Sequence, residues 1–180
     1  DCVEIDEQFD EVLKNQRVMP HLHLSIQSGD DMILKRMKRR HNSKDVFEFV
    51  EHCKKIREDV SFGADIIAGF PTETDEMFDN TYRLLKKNEI SHLHIFPFSP
   101  KNNTPASRMP QVSKLIIKKR AKHLRELGEL ILKKVKSKLS LPREVLIEEL
   151  NLGLAVGYDQ NYIKHKVPLV GVPVGEIVRI

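Results

Sequence analysis

Three short segments either alternate apolar and polar residues or are almost wholly apolar, as β-strands are. His21–Gln27 alternates strictly, which places three aliphatic side chains on one face and polar side chains on the other. The segment 64–70 is nearly continuous in apolar residues and is interrupted by Asp65, and the segment 92–98 alternates again. The pattern therefore predicts three strands.

Between the strands, apolar residues recur every three or four positions, which is the spacing of an amphipathic helix. Ser43 is predicted to cap one such helix, and the residues Thr-Glu-Thr-Asp at 72–75 resemble a capping box that opens a helix reaching about Asn88. A longer helix is predicted over residues 113–138, after a proline-rich loop. Repeated strand–helix units indicate an α/β fold in which helices cover a parallel sheet.

The pattern changes after Leu141 and Pro142, where short apolar segments are separated by glycine and proline. Strands are predicted at residues 145–149, 154–158, 162–167 and 176–180. Such a run of short strands is typical of a small antiparallel β module. The chain is therefore predicted to have two parts, residues 1–140 with the parallel sheet and the long helix, and residues 141–180 with the β module.

The formal net charge of +4 conceals a strong local asymmetry. Residues 111–140 hold ten lysines and arginines against two acidic residues, and residues 35–41 form a second basic group without an acid. Such clusters suit a polyanion such as nucleic acid. They also suit a lysine-rich helix face that contacts only solvent, and charge alone favours that interpretation.

The composition excludes several classes of protein. No stretch approaches 18 uninterrupted apolar residues, and the acidic first residues lack the basic and apolar regions of a signal peptide. With 31% charged residues, the chain is expected to be a soluble, cytoplasmic protein that does not contact a membrane. Its two cysteines are too few for a four-thiolate metal site. Cys53 lies on an apolar helix stripe and is predicted to be buried, whereas Cys2 has no evident partner.

Polar residues lie where parallel α/β folds gather their ligands, around the carboxyl ends of the strands. Gln27 ends the first strand, Arg39 follows it, and Asp65 lies inside the second strand as a predicted buried carboxylate. Such a carboxylate needs hydroxyl donors or a cation, and an arginine can bind a carboxylate through two parallel hydrogen bonds. The three residues could hold a ligand with a sugar and a carboxylate. Alternatively, Gln27 and Asp65 bond to the backbone and Arg39 lies on the surface.

Two pairs of alternating histidines, His21 with His23 and His92 with His94, could each offer two metal ligands from one strand face. The sequence fixes no carboxylate beside them, and alternating histidines also fit the polar lining of a barrel. No metal site is therefore predicted.

Four blocks stand out for their order along the chain: 21–29 (HLHLSIQSG) with 34–39 (LKRMKR), 65–74 (DIIAGFPTET), 94–110 (HIFPFSPKNNTPASRMP) and 157–164 (GYDQNYIK). The first three resemble the core motifs of the radical S-adenosylmethionine (radical SAM) methylthiotransferases. The third is most similar to the branch that acts on threonylcarbamoyladenosine beside the anticodon of tRNA. The fourth resembles the terminal TRAM module of that family, an RNA-binding β-barrel.

The resemblance implies a fold and a cofactor site. The fold would be a partial parallel (β/α) barrel, made of the carboxy-terminal βα units of a radical SAM core, followed by a small antiparallel TRAM β-barrel. Gln27 and Asp65 match positions that contact the ribose of S-adenosylmethionine in related enzymes, and Arg39 matches the position that meets the carboxylate of its methionine moiety. Ser25, beside them on the polar strand face, is a further candidate.

The resemblance also implies tRNA as partner, with Tyr158, Tyr162, Lys164 and Lys166 offering stacking and phosphate contacts. For the two tyrosines, core packing in a small barrel is an equally good interpretation. In the intact enzyme the implied reaction cleaves the cofactor reductively to a deoxyadenosyl radical, and a methylthio group is then added to adenine. Alternative substrates are isopentenyladenosine and an aspartate of a ribosomal protein. A non-catalytic RNA-binding module is the alternative of a different class.

The sequence departs from the family in one respect. The radical cluster of the family requires a Cys-x3-Cys-x2-Cys motif, and a second 4Fe-4S cluster needs three further cysteines, whereas this chain has only Cys2 and Cys53. Both sets of ligands would lie upstream, so the chain resembles the carboxy-terminal portion of a longer enzyme. Neither a catalytic residue nor a metal ligand is predicted within it, and the chain alone is predicted to be inactive.

Overall fold

Two sheets and five α-helices make up the part of the chain that the computed structural model describes, which is residues 3, 5–6, 8–139, 142–168 and 171–180. The helices are α1 Phe9–Lys14, α2 Asp31–Arg36, α3 Ser43–Ile56, α4 Asp75–Asn88 and α5 Lys114–Lys138. The strands are β1 His21–Gln27, β2 Ser61–Ala68, β3 His92–Pro97, β4 Glu144–Asn151, β5 Leu154–Asp159, β6 Lys164–Val167 and β7 Ile177–Arg179. A short 3-10 helix, Pro105–Arg108, precedes α5.

Strands β1, β2 and β3 form a parallel sheet in that order, joined by helical crossovers. Leu22 pairs with Phe62 and Leu24 with Ala64, so one face of the sheet is apolar. The strand register places histidines and Asp65 on the opposite face, which is open to solvent to varying degrees. The sheet therefore has one face that packs and one that remains available.

The hydrophobic core lies between the apolar face of this sheet and the helices packed against it. Helix α3 contributes Val50 and Cys53, and α5 contributes Leu124 and Leu127, all fully or almost fully buried against the strands. Burying an aliphatic side chain of this size contributes about 1.5–3 kcal/mol relative to leaving it exposed. Gly128 lets α5 approach β3 closely, because a Cβ atom at that position would lie only 3.3 Å from the nearest side chain. The predicted burial of Cys53 is confirmed.

The second sheet is antiparallel, in the order β6–β5–β4–β7. Its own small core consists of Val145, Ile147 and Ala155, all completely buried. The predicted α/β fold with a parallel sheet, followed by a small antiparallel sheet, is confirmed. The division into residues 1–140 and 141–180 stays a prediction, and both the proposed boundary at Leu141 and Cys2 lie outside the described residues.

Several predicted details are wrong for local physical reasons. The cap of α3 is Asn42 and not Ser43, because the Asn42 side chain accepts bonds from the backbone of Lys44 and Asp45 while Asp45 returns a bond. Helix α4 begins at Asp75 with Thr74 as its cap, two residues later than a capping box opened by Thr72 would place it. Tyr162 lies outside β6, in a turn with φ of 62°, and α2 was not predicted at all.

None of the helices in the described residues is long and apolar enough to cross a bilayer. The longest, α5, has a lysine-rich outer surface along most of its length.

Candidate cofactor site and nucleic-acid interface

The turn after β1 is held firmly against α4. The Ser28 hydroxyl lies 3.2 Å from that of Thr81, and the Gly29 backbone N–H donates to Thr81 Oγ1 at 2.9 Å. A Cβ atom on Gly29 would lie 2.7 Å from the Thr81 backbone, so only glycine allows this approach. Asp30 then caps α2 by accepting bonds from two backbone N–H groups. Gln27, which opens the turn with φ of 68°, is therefore fixed in place.

The turn after β2 is built around a buried ion pair. Gly69 adopts φ of 75°, and its N–H donates to Glu73 Oε2 at 3.0 Å. Arg120 on α5 donates to the same carboxylate oxygen at 2.8 Å, to the Glu73 carbonyl at 3.0 Å, and to Asp75 at 2.7 Å. Burial raises the pKa of Glu73, although Arg120 and the Gly69 amide act in the opposite direction. Glu73 thus ties the turn to α5.

A cleft of about 570 Å³ lies between these turns and the loop that follows β3. Arg36, Arg39 and the residues between them form one wall, and Ile67 and Phe70 form another. Ile67 lies on the same strand face as Asp65, two positions further along β2. The cleft therefore connects the open face of the parallel sheet with the basic segment after β1.

The structure places the four predicted cofactor residues around this region. Ser25 and Asp65 are on the open face of the sheet, Gln27 is at the end of β1, and Arg39 lines the cleft. The prediction that Asp65 is buried is wrong, because its side chain is 30% exposed on the open face. That face has no helix packed over it in the described residues.

Of these four residues, Gln27 is buried, Asp65 is partly exposed, and Ser25 and Arg39 are exposed. Gln27 is only 8% exposed, yet its side-chain amide makes no hydrogen bond to any described residue. No described residue bonds to the Arg39 guanidinium, the Ser25 hydroxyl or Oδ2 of Asp65. Donors and acceptors are thus available for a polar ligand.

Sequence reasoning missed the environment of Asp65. His23 Nε2 lies 2.9 Å and His94 Nδ1 3.3 Å from Asp65 Oδ1. The sequence contains the alternating histidines, but the carboxylate that joins them comes from the strand between, through a register that only the folded sheet defines.

Three of the four predicted RNA-binding residues lie on one face of the second sheet, and the fourth, Tyr162, packs beside them from the turn before β6. Tyr158 pairs with Lys164 and Val156 with Lys166 across β5 and β6, so Tyr158 and the two lysines share a face. The ring of Tyr162 stacks on that of Tyr158 with centroids 4.8 Å apart, and Lys164 Nζ lies 5.8 Å from the Tyr158 ring. Tyr162 is 53% exposed, so core packing does not account for it. Flat rings beside cations are the elements of a single-strand binding surface.

The second sheet docks against the amino ends of the parallel strands through Asn161. Its buried amide donates to the carbonyl oxygens of Pro20 at 3.1 Å and Asp59 at 2.6 Å. Ser61 Oγ donates to the Asn161 carbonyl at 3.1 Å. The loop that joins β5 to β6 therefore seals the end of the sheet opposite to the cleft.

Two histidines extend the tyrosine stack into this junction. The His21 ring stacks on Tyr162 with centroids 5.4 Å apart and meets His92 edge-on at 4.7 Å. His92 Nε2 lies 2.9 Å from the Tyr162 carbonyl and donates to it. Burial and the neighbouring His92 and His23 lower the pKa of His21 to about 4, and burial lowers the pKa of His92.

Acidification is therefore expected to weaken the junction. Both histidines have folded-state pKa values below that of an unfolded histidine, about 6.5, so the unfolded state binds more protons as the pH falls below that value. The free energy of unfolding should decrease progressively from pH 6.5 to 4. Chemical denaturation at several pH values measures it. His21→Phe should flatten the profile, whereas His52→Phe, at an exposed His–Asp pair on α3, should not; equal profiles would contradict the assignment.

The basic helix α5 is only partly a free cationic surface. Arg120 is buried in the ion pair described above, and Lys134 and Lys138 both contact Glu89. Arg125 donates to the Ile95 carbonyl of β3 at 3.3 Å, and Lys122 pairs with Glu126. The other cations of the helix are exposed. Charge counting alone overestimates the cationic surface for this reason.

A profile of the radical SAM superfamily matches residues 2–85. The threonylcarbamoyladenosine tRNA methylthiotransferase of Rickettsia prowazekii is 49% identical over 173 residues, which cover 93% of this chain. The protein of the same name from Thermotoga maritima is 40% identical over 97% of the chain. The chain is therefore similar to this superfamily over slightly less than half of its length. These relatives also confirm the resemblance to the methylthiotransferases.

Other relatives carry a different substrate in their names. The tRNA-2-methylthio-N(6)-dimethylallyladenosine synthase of Ehrlichia canis is 40% identical, but over 113 residues and 62% of the chain. Among solved structures, Escherichia coli coproporphyrinogen III oxidase, a radical SAM enzyme, matches 71% of this chain with a TM-score of 0.56 and 19% identity, which supports the fold alone. The chain spans 39% and 41% of the length of the Rickettsia and Thermotoga relatives.

Proposed function

We propose that this chain is the cofactor- and RNA-binding portion of a tRNA methylthiotransferase that acts on threonylcarbamoyladenosine beside the anticodon. The observation that carries the proposal is the 49% and 40% identity, over nearly the whole chain, to two relatives of that name. Because the chain spans about two fifths of each relative, the activity would belong to a longer protein. The three parallel strands would then be part of a (β/α) barrel, and the second sheet a TRAM module.

The residues of this chain fit S-adenosylmethionine. A ribose offers two hydroxyl donors, which suit the Asp65 oxygen and the Gln27 amide oxygen that lack partners among the described residues. The cofactor carboxylate suits the unpaired Arg39 guanidinium on the wall of the cleft. When bound, the cofactor supplies radical chemistry. These residues bind and orient it, with Ser25 as a further contact.

The same chain does not fit an iron–sulfur cluster. Its only cysteines are Cys2 and Cys53, and Cys53 is completely buried in the core. The ligands of both 4Fe-4S clusters would therefore come from elsewhere in a longer protein, and the 180-residue chain by itself is expected to be inactive. Cluster absorbance and cofactor cleavage after anaerobic reconstitution of this chain would contradict that expectation.

Binding of tRNA by the chain is expected to depend strongly on salt, because phosphate contacts release counterions. Replacing Lys164 and Lys166 by glutamine should weaken binding and reduce the slope of log affinity against log salt by about 0.7 for each lost phosphate contact. Lys44→Gln with Lys55→Gln, two exposed positions on α3 outside both basic clusters, is the matched control and should leave the slope nearly unchanged. An affinity that does not vary with salt, measured by filter binding, would contradict the proposed interface.

The substrate can be tested by analysing tRNA nucleosides from cells that lack the gene. Loss of the methylthio derivative of threonylcarbamoyladenosine is the expected result. Loss of methylthio-isopentenyladenosine would instead support the second candidate, which is favoured by the relatives named for dimethylallyladenosine. Unchanged tRNA nucleosides would leave the two remaining alternatives, a ribosomal-protein aspartate as substrate or a non-catalytic RNA-binding module. A cytoplasmic location follows from tRNA as the proposed partner.

A further inference from the structure

Asp65 lies at the centre of a cluster of three titratable side chains on the open face of the parallel sheet. His23 Nε2 and His94 Nδ1 both approach the same atom, Asp65 Oδ1, at 2.9 Å and 3.3 Å. The two imidazole rings are 4.7 Å apart between centroids and tilted by 38°. One carboxylate oxygen therefore faces two nitrogen donors from the strands on either side.

The cluster is a product of strand register and of one glycine. Asp65 on β2 pairs directly with His94 on β3, and His23 on β1 pairs with Gly63. A Cβ atom on Gly63 would lie 2.7 Å from His23 Nδ1, so glycine makes room for the His23 ring to lean across β2. From that position the far nitrogen of the ring reaches Asp65.

Only one of the two carboxylate oxygens is used. No described residue donates a hydrogen bond to Oδ2 or forms an ion pair through it, and the side chain is 30% exposed on the open face. The hydrogen bond from His23 and the neighbouring His94 nitrogen, 3.3 Å away, both lie at Oδ1 and restrict rotation of the carboxylate, so Oδ2 points away from them. An acceptor held in this way needs no reordering when a ligand hydroxyl arrives, which lowers the entropic cost of binding.

A metal ion is the competing occupant, since the three ligand atoms lie within 4.8 Å of one another. The surroundings favour an organic ligand. Gln27 and Arg39, which are close along the same edge of the fold, lack partners in the described part of the chain, and an ion bound by the two histidines and Asp65 would leave both unpaired.

We infer that His23 and His94 are positioning residues that orient Asp65 to receive the vicinal hydroxyl groups of the cofactor ribose. His23 would donate from Nε2 and His94 from Nδ1. The inference rests on the proposed function, which assigns Asp65 to the ribose. It extends that function to two residues that touch Asp65 and not the reacting atoms.

The test measures binding of S-adenosylhomocysteine, and of its analogue without the two ribose hydroxyls, to the chain by calorimetry. His23→Ala should weaken binding of the hydroxylated ligand by about tenfold, the cost of one well-placed hydrogen bond. His94→Ala should weaken it less, because its contact with Asp65 is longer and more exposed. Binding of the dideoxy analogue, already weak, should not change. His23→Gln and His94→Asn place an amide N–H near the original donor and should restore most of the affinity.

His52→Ala is the matched control, because it removes an exposed histidine that bonds to Asp10 on the outer surface and should have no effect. Equal losses for both ligands, or no rescue by the amide variants, would indicate a merely structural role and overturn the inference. If Asp65→Asn weakens binding and the histidine variants do not, the proposed function survives and the inference fails. If the unmodified chain binds neither ligand, both fail.

Zinc titration distinguishes a metal site from the proposed ribose site. Tight Zn²⁺ binding that requires all three residues, with nucleoside binding insensitive to the histidines, would identify a metal site and overturn the inference. Far-UV circular dichroism of each variant confirms that the fold is retained, and the amide variants keep the test decisive if an alanine variant unfolds.

Discussion

Replacing Arg120 with methionine is expected to lower the free energy of unfolding by about 3–5 kcal/mol, because it leaves a buried carboxylate without its partner. The side chain of Arg120 is 6% exposed and that of Glu73 is 1% exposed, so water cannot replace the lost contacts. Arg120 also donates to the Glu73 carbonyl and to Asp75. Urea denaturation followed by circular dichroism measures the effect.

The matched control is Lys122→Met, which removes a cation from the same helix at an exposed position, where it pairs with Glu126. That change should alter stability by less than about 1 kcal/mol. A double-mutant cycle with Glu73→Gln isolates the pair, since the second substitution should cost much less once the first is present. Similar stabilities of the Arg120 and Lys122 variants would show that the ion pair does not hold the turn.

The Arg120→Met substitution should also weaken ligand binding at the candidate cofactor site. Glu73 accepts the N–H of Gly69, which adopts φ of 75° and passes so close to α5 that a Cβ atom would lie 2.4 Å from Ile117. Without Arg120, the carboxylate becomes protonated or moves, and the turn that carries Phe70 loses its anchor. The cleft between that turn and Arg39 should then bind ligand less well, even under conditions in which the variant remains folded.

Asp159→Ala is expected to unfold the second sheet selectively. The Asp159 carboxylate is completely buried and accepts bonds from Arg143 at 2.6 Å and His165 at 2.9 Å. It also accepts the backbone N–H groups of Asn161 and Ile163, which shape the docking loop. Its removal leaves the largely buried Arg143 without a carboxylate partner and should lower the free energy of unfolding by about 3–5 kcal/mol.

Tyrosine absorbance and fluorescence provide the measurement, because two of the three tyrosines, Tyr158 and Tyr162, lie in the affected region. Glu148→Ala removes an exposed carboxylate from the same sheet and should leave the transition unchanged. A single transition at wild-type stability in the Asp159 variant would contradict the prediction.

The stability lost in this variant should itself depend on pH. Burial alone would raise the pKa of Asp159, but hydrogen bonds from His165, the Ile163 amide and Arg143 outweigh burial and hold the pKa below its usual value. A carboxyl group whose pKa is lowered by folding stabilises the folded state at pH values above its unfolded-state pKa, about 3.9. This stabilisation is lost as the pH falls further. The difference between wild type and variant should therefore shrink below about pH 4.

Local sequence patterns were sufficient for most of the secondary structure. The strict alternation of His21–Gln27 predicted β1 with its observed bounds, and the stripe of leucines spaced by three and four residues predicted α5 almost completely. Errors occurred where a short polar side chain decided the boundary, as at Asn42, or where a turn needed a left-handed residue, as at Tyr162. Several residues compete for such positions, and only backbone geometry selects one of them.

By itself the sequence determined the α/β class and the face of the parallel sheet that helices cover. It also determined which residues could bind a ligand with a sugar and a carboxylate. These features depend only on residue type and on the spacing of residues that are near one another in the chain. Tertiary structure alone decided which side chains meet. Asp65 contacts two histidines from different strands, and Asn161 bonds the second sheet to the first. Arg120, unlike the exposed basic residues beside it in the sequence, is buried in an ion pair. These contacts depend on strand register and on helix packing across 40 to 140 residues of chain, and no local pattern records them.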